Sequence, residues 1–448
     1  MLLERKAHSK TIAAVECEKN KPRINNYQEQ EKGNQKMSNF IELGISEALV
    51  AVLTKQNIES PMQVQEAVIP KVMGGGNLVA QAPTGTGKTL AYLLPVLQKI
   101  DADSRDVQAV ILAPTYELAM QITNVARDLA QGANLGIKVQ GLIGGANIAR
   151  QMDKLKDKPQ LIVGSAGRII ELAQKNKLKL HKVKMLVLDE FDRLFDDQNM
   201  ENTADVVRLL PEDRQVVMVS ATAPKKALER ADFLQHPEVI KVEADPAVQA
   251  LREDLYRMTP FRNKVETVRH LARRLAVKRG LVFINKVFDA ERILAQLRYE
   301  GFMVGTLLGH NNKQARQKAI ADFKAGRIKL LLSTDLAARG LDIPDVDYVF
   351  NLDLPESSEI YLHRAGRTAR AGAKGTVITL ADNKEAYKLE QLEKKLGIAF
   401  KPVKGGDKPA PSKKKTSVKQ GTGSGQKKTA NKSKKHTNRQ GKRKATAK

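Results

Sequence analysis

Short apolar runs of strand length alternate along the chain with longer amphipathic stretches. The first half contains such runs at 78–82, 109–113, 161–164, 185–188 and 216–219. After a linker predicted around 242–248, the pattern restarts at 281–284, 304–308, 330–332, 348–352 and 376–380. This alternation is typical of parallel sheets covered by helices on both faces. We therefore predict an α/β protein with two tandem lobes, each a parallel sheet flanked by helices.

The length of 448 residues also favours two domains, because a single hydrophobic core rarely grows so large. We place the first lobe at 37–242 and the second at 243–400. The stretch before them, 1–36, is polar and mixed in charge, and we predict that it is a disordered extension.

Positive charge is concentrated at one end of the chain. The formal net charge of +26 favours a polyanionic partner, most often nucleic acid. Residues 401–448 hold 17 Lys or Arg against one acid, Asp407, and almost no large apolar side chains. We predict a disordered Lys-rich tail that grips phosphates without sequence preference. A solubilising tail or a targeting signal is the alternative.

The cysteine content and the hydropathy of the chain indicate the cellular compartment in which the protein works. The single cysteine, Cys17, excludes an internal disulfide framework and a cysteine zinc cluster. That fits a reducing intracellular environment. No run of about 18 apolar residues is present, so we predict no transmembrane helix and no membrane partner. We expect a cytoplasmic protein.

A phosphate-binding loop is predicted between the strand at 78–82 and a helical stretch at 90–100. Glycines allow the tight turn that points several backbone N–H groups at phosphate oxygens, and the helix N-terminus adds a favourable dipole. Lys88 should reach the β and γ phosphates, and the Thr89 hydroxyl should ligate Mg²⁺. The loop residues are Ala82, Pro83, Thr84, Gly85, Thr86, Gly87, Lys88 and Thr89, with Ala82 where the generic pattern has glycine.

Three carboxylates follow the apolar run at 185–188. Ligands of parallel sheets bind at the carboxyl ends of the strands, where Asp189, Glu190 and Asp192 would lie. Asp189 is placed to hold Mg²⁺ through water, and Glu190 to polarise an attacking water. Together with the loop, this pattern predicts an NTPase, and we expect ATP and Mg²⁺ as its cofactors.

From residue 40 to residue 400 the chain resembles the DEAD-box RNA helicases, with the family's motifs in family order and spacing. The resemblance implies two RecA-like domains. It assigns Gln65, in Pro61-Met62-Gln63-Val64-Gln65, to the adenine edge and Phe40 to stacking on the base. It also implies a ribose contact for Asp335.

The same resemblance implies sites for RNA and for coupling. The segments resembling RNA-contacting motifs are Pro114-Thr115-Tyr116-Glu117-Leu118-Ala119, Gly144-Gly145, Ser165-Ala166-Gly167-Arg168, Phe283-Ile284-Asn285, Arg316, Ser333-Thr334-Asp335 and Arg339-Gly340-Leu341-Asp342. The RNA-binding residues it implies are Pro114, Thr115, Gly144, Gly145, Ser165, Gly167, Arg168, Arg316, Thr334 and Gly340. The residues implied to couple hydrolysis to strand separation are Asp192, Ser220, Thr222 and His363.

The segment His363–Arg370, His-Arg-Ala-Gly-Arg-Thr-Ala-Arg, resembles the family's motif VI. A planar guanidinium can neutralise the charge that spreads over a transferring γ-phosphoryl group. Arg367 and Arg370 lie three apart, so one helical turn would present both on the same side. If the second lobe supplies them, catalysis requires the two lobes to close.

Four positions depart from the family pattern. Phe191 replaces the small third residue of the acidic motif, giving Asp-Glu-Phe-Asp, and Tyr116 stands where arginine is usual. Met62 replaces a threonine, which removes a hydroxyl that would tie Gln65 to the phosphate-binding loop. Ser165-Ala166 replaces Thr-Pro. No catalytic group is lost.

The sequence therefore predicts an ATP-dependent RNA helicase that unwinds short duplexes or remodels RNA–protein complexes by closure of two lobes. Contacts to the sugar–phosphate backbone would give low sequence preference. Two alternatives stay open: a DNA-directed translocase, and an ATP-dependent RNA clamp or scaffold with little unwinding. We expect a monomer, and ribosomal or RNA-decay proteins as partners.

Overall fold

The strands that the structure describes all pair in parallel and form two sheets. In this computed structural model the described residues are 24–26, 39–231, 233–234, 236–243, 250–308, 313–338, 346–369 and 373–404. The strands are β1 Ile24–Asn26, β2 Leu78–Gln81, β3 Ala109–Leu112, β4 Val139–Leu142, β5 Leu161–Gly164, β6 Met185–Asp189, β7 Gln215–Ser220, β8 Glu238–Lys241, β9 Arg252–Met258, β10 Gly280–Phe283, β11 Val304–Thr306, β12 Leu330–Ser333, β13 Tyr348–Asn351, β14 Gly375–Ala381 and β15 Lys401–Pro402.

Helices connect the strands of both sheets. They are α1 Glu47–Lys55, α2 Gln63–Met73, α3 Lys88–Lys99, α4 Tyr116–Gly132, α5 Ile148–Leu155, α6 Ala166–Gln174, α7 Phe191–Leu194, α8 Met200–Arg208, α9 Lys225–Glu229, α10 Lys264–Arg274, α11 Ala290–Arg298, α12 Lys313–Lys324, α13 Asp335–Ala338, α14 Ser358–Ala365 and α15 Ala386–Leu396. Short 3₁₀ turns occur at Phe261–Asn263, Val287–Asp289 and Tyr299–Gly301. The predicted α/β class with two lobes is confirmed.

The central strands of each sheet are buried on both faces. The first has the order β1-β8-β2-β7-β6-β3-β5-β4, and the second has the order β11-β12-β10-β13-β14-β9-β15. Successive residues of a strand point to opposite faces. Accordingly, Ile111 of β3 packs into one hydrophobic cluster of the first lobe and Leu112 into the other. In the second lobe Leu281 and Val282 of β10 divide between two clusters in the same way.

Strand order groups the predicted motifs at the carboxyl edge of the first sheet. The phosphate-binding loop follows β2, the acidic motif begins at Asp189, the last residue of β6, and Ser220 ends β7. These three strands are neighbours in the order β2-β7-β6. The predicted RNA-contacting segments follow β3, β4 and β5, which are neighbours on the other side of β6. The fold thus places the predicted nucleotide motifs and the predicted RNA-contacting segments side by side on one edge, and we call these two regions the nucleotide half and the RNA half.

The termini lie largely outside the described residues. Ile24–Asn26, within the stretch predicted to be disordered, form a short strand that pairs in parallel with β8. The remainder of 1–36, most of the linker predicted around 242–248 and the tail beyond Lys404 lie outside the described residues, as do Gly340 and Arg370. Within the described part of the chain, no helix combines the length and the apolar character needed to cross a membrane.

Candidate functional site

The phosphate-binding loop curls around the ammonium group of Lys88. Gly85 and Gly87 have φ of +82° and +81°, the left-handed region that glycine adopts without steric cost. The Nζ atom of Lys88 donates hydrogen bonds to the carbonyl oxygens of Ala82 and Pro83, each at 2.8 Å. The Thr86 hydroxyl donates to the Pro83 carbonyl, also at 2.8 Å. The loop therefore has the turn that the glycine spacing predicts.

Burial and nearby carboxylates shift the pKa of Lys88 in opposite directions. Desolvation lowers the pKa of its ammonium group to about 8, while the charges of Asp189, Glu190 and Asp192 counteract that decrease. The dependence on all three carboxylates shows that the two predicted nucleotide motifs meet in one place.

Gln65 binds the phosphate-binding loop directly. Its Oε1 atom accepts from the Met62 N–H at 2.9 Å, and its Nε2 atom donates to the Gly87 carbonyl at 3.2 Å. A Cβ atom on Gly87 would lie 2.4 Å from that Nε2 atom, so only glycine fits. The loss of the threonine hydroxyl at Met62 therefore does not free Gln65, because its own amide makes the link.

The Phe40 side chain is too deeply buried for its implied role, which is to stack on the base. Its side chain is 1% exposed and packs within the hydrophobic core of the first lobe. The ring therefore has no accessible face for a base in this structure. Stacking on adenine stays a prediction, and the geometry does not favour it.

The carboxylate of Asp189 is held on both oxygens. Its Oδ1 atom accepts from the Glu190 N–H at 2.9 Å, and its Oδ2 atom accepts from the Tyr92 hydroxyl at 2.8 Å. Burial, reinforced by the neighbouring Glu190 charge, raises the pKa of Asp189 to about 6. Tyr92 is not among the residues that the sequence motifs predict. Tyr92 lies four residues after Lys88 on α3, and residues at this spacing share a helix face. This spacing could have indicated that Tyr92 lies near the phosphate-binding loop.

Glu190 has an oxygen without a protein partner. It sits between β6 and α7 with φ of +49°, and its Oε2 atom is buried without a hydrogen-bond partner. Burial raises the pKa of this carboxyl, and the charges of Arg367 and Lys88 oppose the shift. An oriented carboxylate with a spare lone pair is what a general base needs.

The four residues predicted to couple hydrolysis to strand separation lie together. Asp192 accepts hydrogen bonds from the Ser220 hydroxyl at 2.5 Å and from the Thr222 hydroxyl at 2.9 Å. The Nε2 atom of His363 is 3.7 Å from Asp192 Oδ2. Burial and the charges of Arg367 and Lys88 lower the pKa of His363 to about 3, so the imidazole is neutral near pH 7. This cluster joins the two lobes.

Motif VI also packs on the phosphate-binding loop. A Cβ atom on Gly366 would lie 1.6 Å from the Thr84 hydroxyl oxygen. The next residue, Arg367, is 6% exposed and its charge acts on Glu190, Lys88 and His363. The second lobe therefore brings a guanidinium to the nucleotide half of the first.

Arg364, which was not among the predicted site residues, organises the second lobe's share of the site. It is 1% exposed and donates to both carboxylate oxygens of Asp335, at 2.6 and 2.7 Å. It also donates to Asn285 Oδ1 at 2.7 Å and to the Asp353 carbonyl at 2.8 Å, and it stacks 5.1 Å from the Phe283 ring centroid. Asp335 is thus held in place, while its ribose contact stays a prediction.

The predicted RNA-contacting segments of the first lobe form a continuous edge. Gly144 and Gly145 are exposed, and an added Cβ atom at either would meet no atom within 4 Å. Arg168 donates to the Ala146 carbonyl at 3.2 Å and pairs with Glu171 at 3.0 Å, which joins two of the segments.

Other predicted RNA-contacting residues cap helices or stay accessible. The Thr115 hydroxyl accepts from the Leu118 N–H at 3.2 Å and caps α4. Pro114 and Ser165 are partly exposed and Gly167 is exposed at the same edge.

An ion pair crosses between the lobes on the RNA half. Arg316 of α12 lies 3.0 Å from Glu117 of α4 and donates to the Ala337 carbonyl at 2.6 Å. Thr334 is 9% exposed, and its hydroxyl accepts from the Ala337 N–H at 3.4 Å. The predicted RNA residues of the two lobes therefore face one another.

The core accommodates Phe191, the unusual third residue of the acidic motif. Its ring is 0% exposed and packs in the same hydrophobic cluster as Leu188, Leu194 and Met218. The ring therefore points into the core, while Asp189 and Asp192 make the hydrogen bonds described above.

Comparison with known proteins agrees with this geometry. The family model of the DEAD/DEAH box helicases matches residues 62–231, and that of the helicase conserved C-terminal domain matches residues 263–372. The two matched regions lie in separate lobes, one carrying the phosphate-binding loop and the other motif VI.

Relatives match most of the chain. A DEAD-box ATP-dependent RNA helicase of Bacillus cereus, CshC, is 40% identical over 77% of this chain and 88% of its own length. The probable ATP-dependent RNA helicase YfmL of Bacillus subtilis is 41% identical over 76% of this chain and 90% of its own. Saccharomyces cerevisiae Dbp5 bound to RNA and ADP BeF3 superposes with a TM-score of 0.73 at 28% identity, covering 82% of this chain and 95% of that one. This chain belongs to the DEAD-box family of ATP-dependent RNA helicases.

Proposed function

We propose that this helicase hydrolyses ATP in a site completed only when its two lobes meet, and that RNA binding favours that closed arrangement. The observation that carries the proposal is the contact of motif VI with the nucleotide half, through Gly366 on Thr84 and His363 beside Asp192. Activity would then depend on closure and not on either lobe alone.

The first lobe has the groups to hold MgATP. Lys88 would exchange its carbonyl partners for the β and γ phosphates, which bind an ammonium more strongly. Thr89 and Asp189 would hold Mg²⁺, since hydroxyl and carboxylate oxygens, completed by phosphates and water, suit this ion. When bound, Mg²⁺ would neutralise charge on the β and γ phosphates.

Two residues would act on the reacting atoms. Glu190 has a buried oxygen with no hydrogen-bond partner in the protein and would orient the attacking water and accept its proton. Arg367 would stabilise the charge that develops on the γ-phosphoryl group, because it is buried beside Glu190 and Lys88. Arg370 is proposed as its companion from the motif alone.

RNA would lie along the edge formed by the segments after β3, β4 and β5 and by the facing residues of α12 and α13. Exposed backbone at Gly144 and Gly145 suits contacts to the sugar–phosphate chain, which carry no base information. Contacts to 2′-hydroxyls would let the site tell RNA from DNA. Strand separation would follow when the bound strand no longer fits a duplex.

The setting of the protein is a further part of the proposal. The Lys-rich tail would hold structured RNA close to the lobes and raise its effective concentration. We propose a cytoplasmic monomer that works with ribosomal or RNA-decay proteins, a setting that rests on composition and resemblance.

The test is ATP hydrolysis at one salt concentration without nucleic acid, with single-stranded RNA and with DNA of matched sequence, followed by displacement of a short RNA duplex. We expect RNA alone to stimulate hydrolysis and ATP to release the strand. Equal stimulation by DNA would support the translocase. Stimulated hydrolysis without strand release would support the clamp.

A further inference from the structure

The Tyr92 hydroxyl contacts one of the two residues assigned to Mg²⁺, and Tyr92 lies on the same helix as the other. It donates to Asp189 Oδ2 at 2.8 Å. Tyr92 is 0% exposed on α3, three residues after Thr89, so the phenol lies on the same helix face. A buried O–H group on the helix that carries Thr89 thus contacts the carboxylate that would hold the cation.

This hydrogen bond fixes the plane of the Asp189 carboxylate. The Glu190 N–H holds Oδ1 at 2.9 Å and Tyr92 holds Oδ2, so the group is anchored at both oxygens and cannot rotate freely. Each carboxylate oxygen accepts more than one hydrogen bond, so a lone pair stays available for a metal-bound water. Groups that orient metal-binding carboxylates in this way commonly change metal affinity 10- to 100-fold when removed.

Burial of the ring alone does not explain the hydroxyl. A phenylalanine would fill the same apolar space, whereas a buried hydroxyl is costly unless it is bonded. The hydroxyl has a carboxylate partner, Asp189, and that partner belongs to the nucleotide half of the site.

We propose that Tyr92 is a positioning residue that orients Asp189, and through it the cation that accompanies the nucleotide. This inference rests on the proposed role of Thr89 and Asp189 in holding Mg²⁺. It adds that the affinity for that ion depends on a hydroxyl from the helix that follows the phosphate-binding loop.

The experiment measures binding of a fluorescent ADP analogue to the full chain in the presence of EDTA and across a Mg²⁺ titration. For Tyr92→Phe we expect the Mg²⁺ concentration at half-maximal effect to rise about tenfold, with affinity in EDTA unchanged. Tyr361→Phe is the matched control, because it removes another fully buried hydroxyl that donates to a carboxylate, that of Asp254 on β9. The control should keep the wild-type Mg²⁺ dependence.

A third variant tests the proposed Mg²⁺ site separately from the role of Tyr92. Asp189→Asn should abolish the Mg²⁺ effect; if it does not, the proposed Mg²⁺ site is wrong. If Asp189→Asn abolishes the effect while Tyr92→Phe titrates like wild type, the positioning role of Tyr92 is overturned. Thermal unfolding checks that each variant folds. If Tyr92→Phe does not fold, Tyr92→Met replaces it, because methionine fills most of the same volume without a hydroxyl.

Discussion

At the scale of single residues, the site depends on charged and polar groups that burial has shifted from their ordinary properties. Lys88, Asp189, Glu190 and His363 are enclosed, and desolvation is the main cause of the pKa change at each. Such shifts are typical of catalytic sites. Substitutions here should therefore change chemistry more than stability.

Replacing Glu190 by Gln should slow ATP turnover at saturating RNA by about 100-fold or more, since it removes the base and keeps the shape of the side chain. Asp189 and Thr89 are unaltered, so ATP and RNA should stay bound and the complex should dissociate slowly. Turnover and the lifetime of the RNA complex are the measurements. Wild-type turnover would show that another group activates the water.

His363 should make the folded protein sensitive to acid. Its pKa falls to about 3 in the folded state, against about 6.5 unfolded, so the unfolded chain binds more protons below pH 6.5 and stability decreases as pH falls from there towards 3. Between pH 7 and pH 5 this residue should account for about 2 kcal/mol of the decrease in unfolding free energy. Denaturant unfolding of wild type and His363→Gln at the two pH values measures it. Equal decreases in both proteins would contradict this account.

Sequence reasoning at this scale singled out the residues whose type and spacing form a motif. It missed Tyr92 and Arg364, because a buried tyrosine looks like core and an arginine inside motif VI looks like another phosphate ligand. Only the fold shows that Arg364 holds Asp335 and Asn285. It also shows Phe40 in the core, which spacing from Gln65 could not reveal.

At the scale of elements, the apolar runs located the central strands to within about two residues, because strands buried on both faces are continuously hydrophobic. The strands that the apolar runs did not predict are less hydrophobic than the central strands. β4 contains Gln140 and Gly141, and β9, Arg252–Met258, is largely polar with no fully buried residue. Backbone hydrogen bonds to β14 and β15 place β9 in the sheet. The pattern of hydrophobic residues cannot predict a strand that forms mainly through such pairing.

The turn after α14 should tolerate no side chain at Gly366. An alanine there would clash with Thr84, so Gly366→Ala should keep the lobes apart and lower RNA-stimulated hydrolysis at least tenfold, with ADP affinity unchanged. Thr84→Gly in the same protein should restore part of the loss. Gly76→Ala is the control, because its Cβ would meet no atom within 4 Å. Normal stimulation of Gly366→Ala would contradict close packing of motif VI on the loop.

At the scale of the whole molecule, the two lobes meet at both halves of the site. The nucleotide half is joined by Gly366 on Thr84 and by His363 beside Asp192, and the RNA half by Arg316 with Glu117. Ligands that bridge such contacts bind more tightly to the closed form, and each then favours binding of the other. The sequence predicted two lobes, but it could not predict which side chains meet between them.

The ion pair between Arg316 and Glu117 should contribute to closure on the RNA side. Its side chains are 24% and 18% exposed, so we expect a modest contribution of about 1 kcal/mol. Glu117→Arg and Arg316→Glu should each weaken RNA binding in the presence of an ATP analogue about fivefold or more. The double swap should recover part of that loss. Additive losses in the double variant would show that the two residues act independently.

The most direct test of a site shared between lobes is the distance between them. With Cys17 replaced, one cysteine at Arg105 in the first lobe and one at Lys388 in the second, both exposed, would carry a pair of dyes for single-molecule energy transfer. We predict one predominant closed population when RNA and a non-hydrolysable ATP analogue are both present, and mostly open molecules with either alone. An unchanged distribution across all conditions, or full closure with one ligand, would contradict the account.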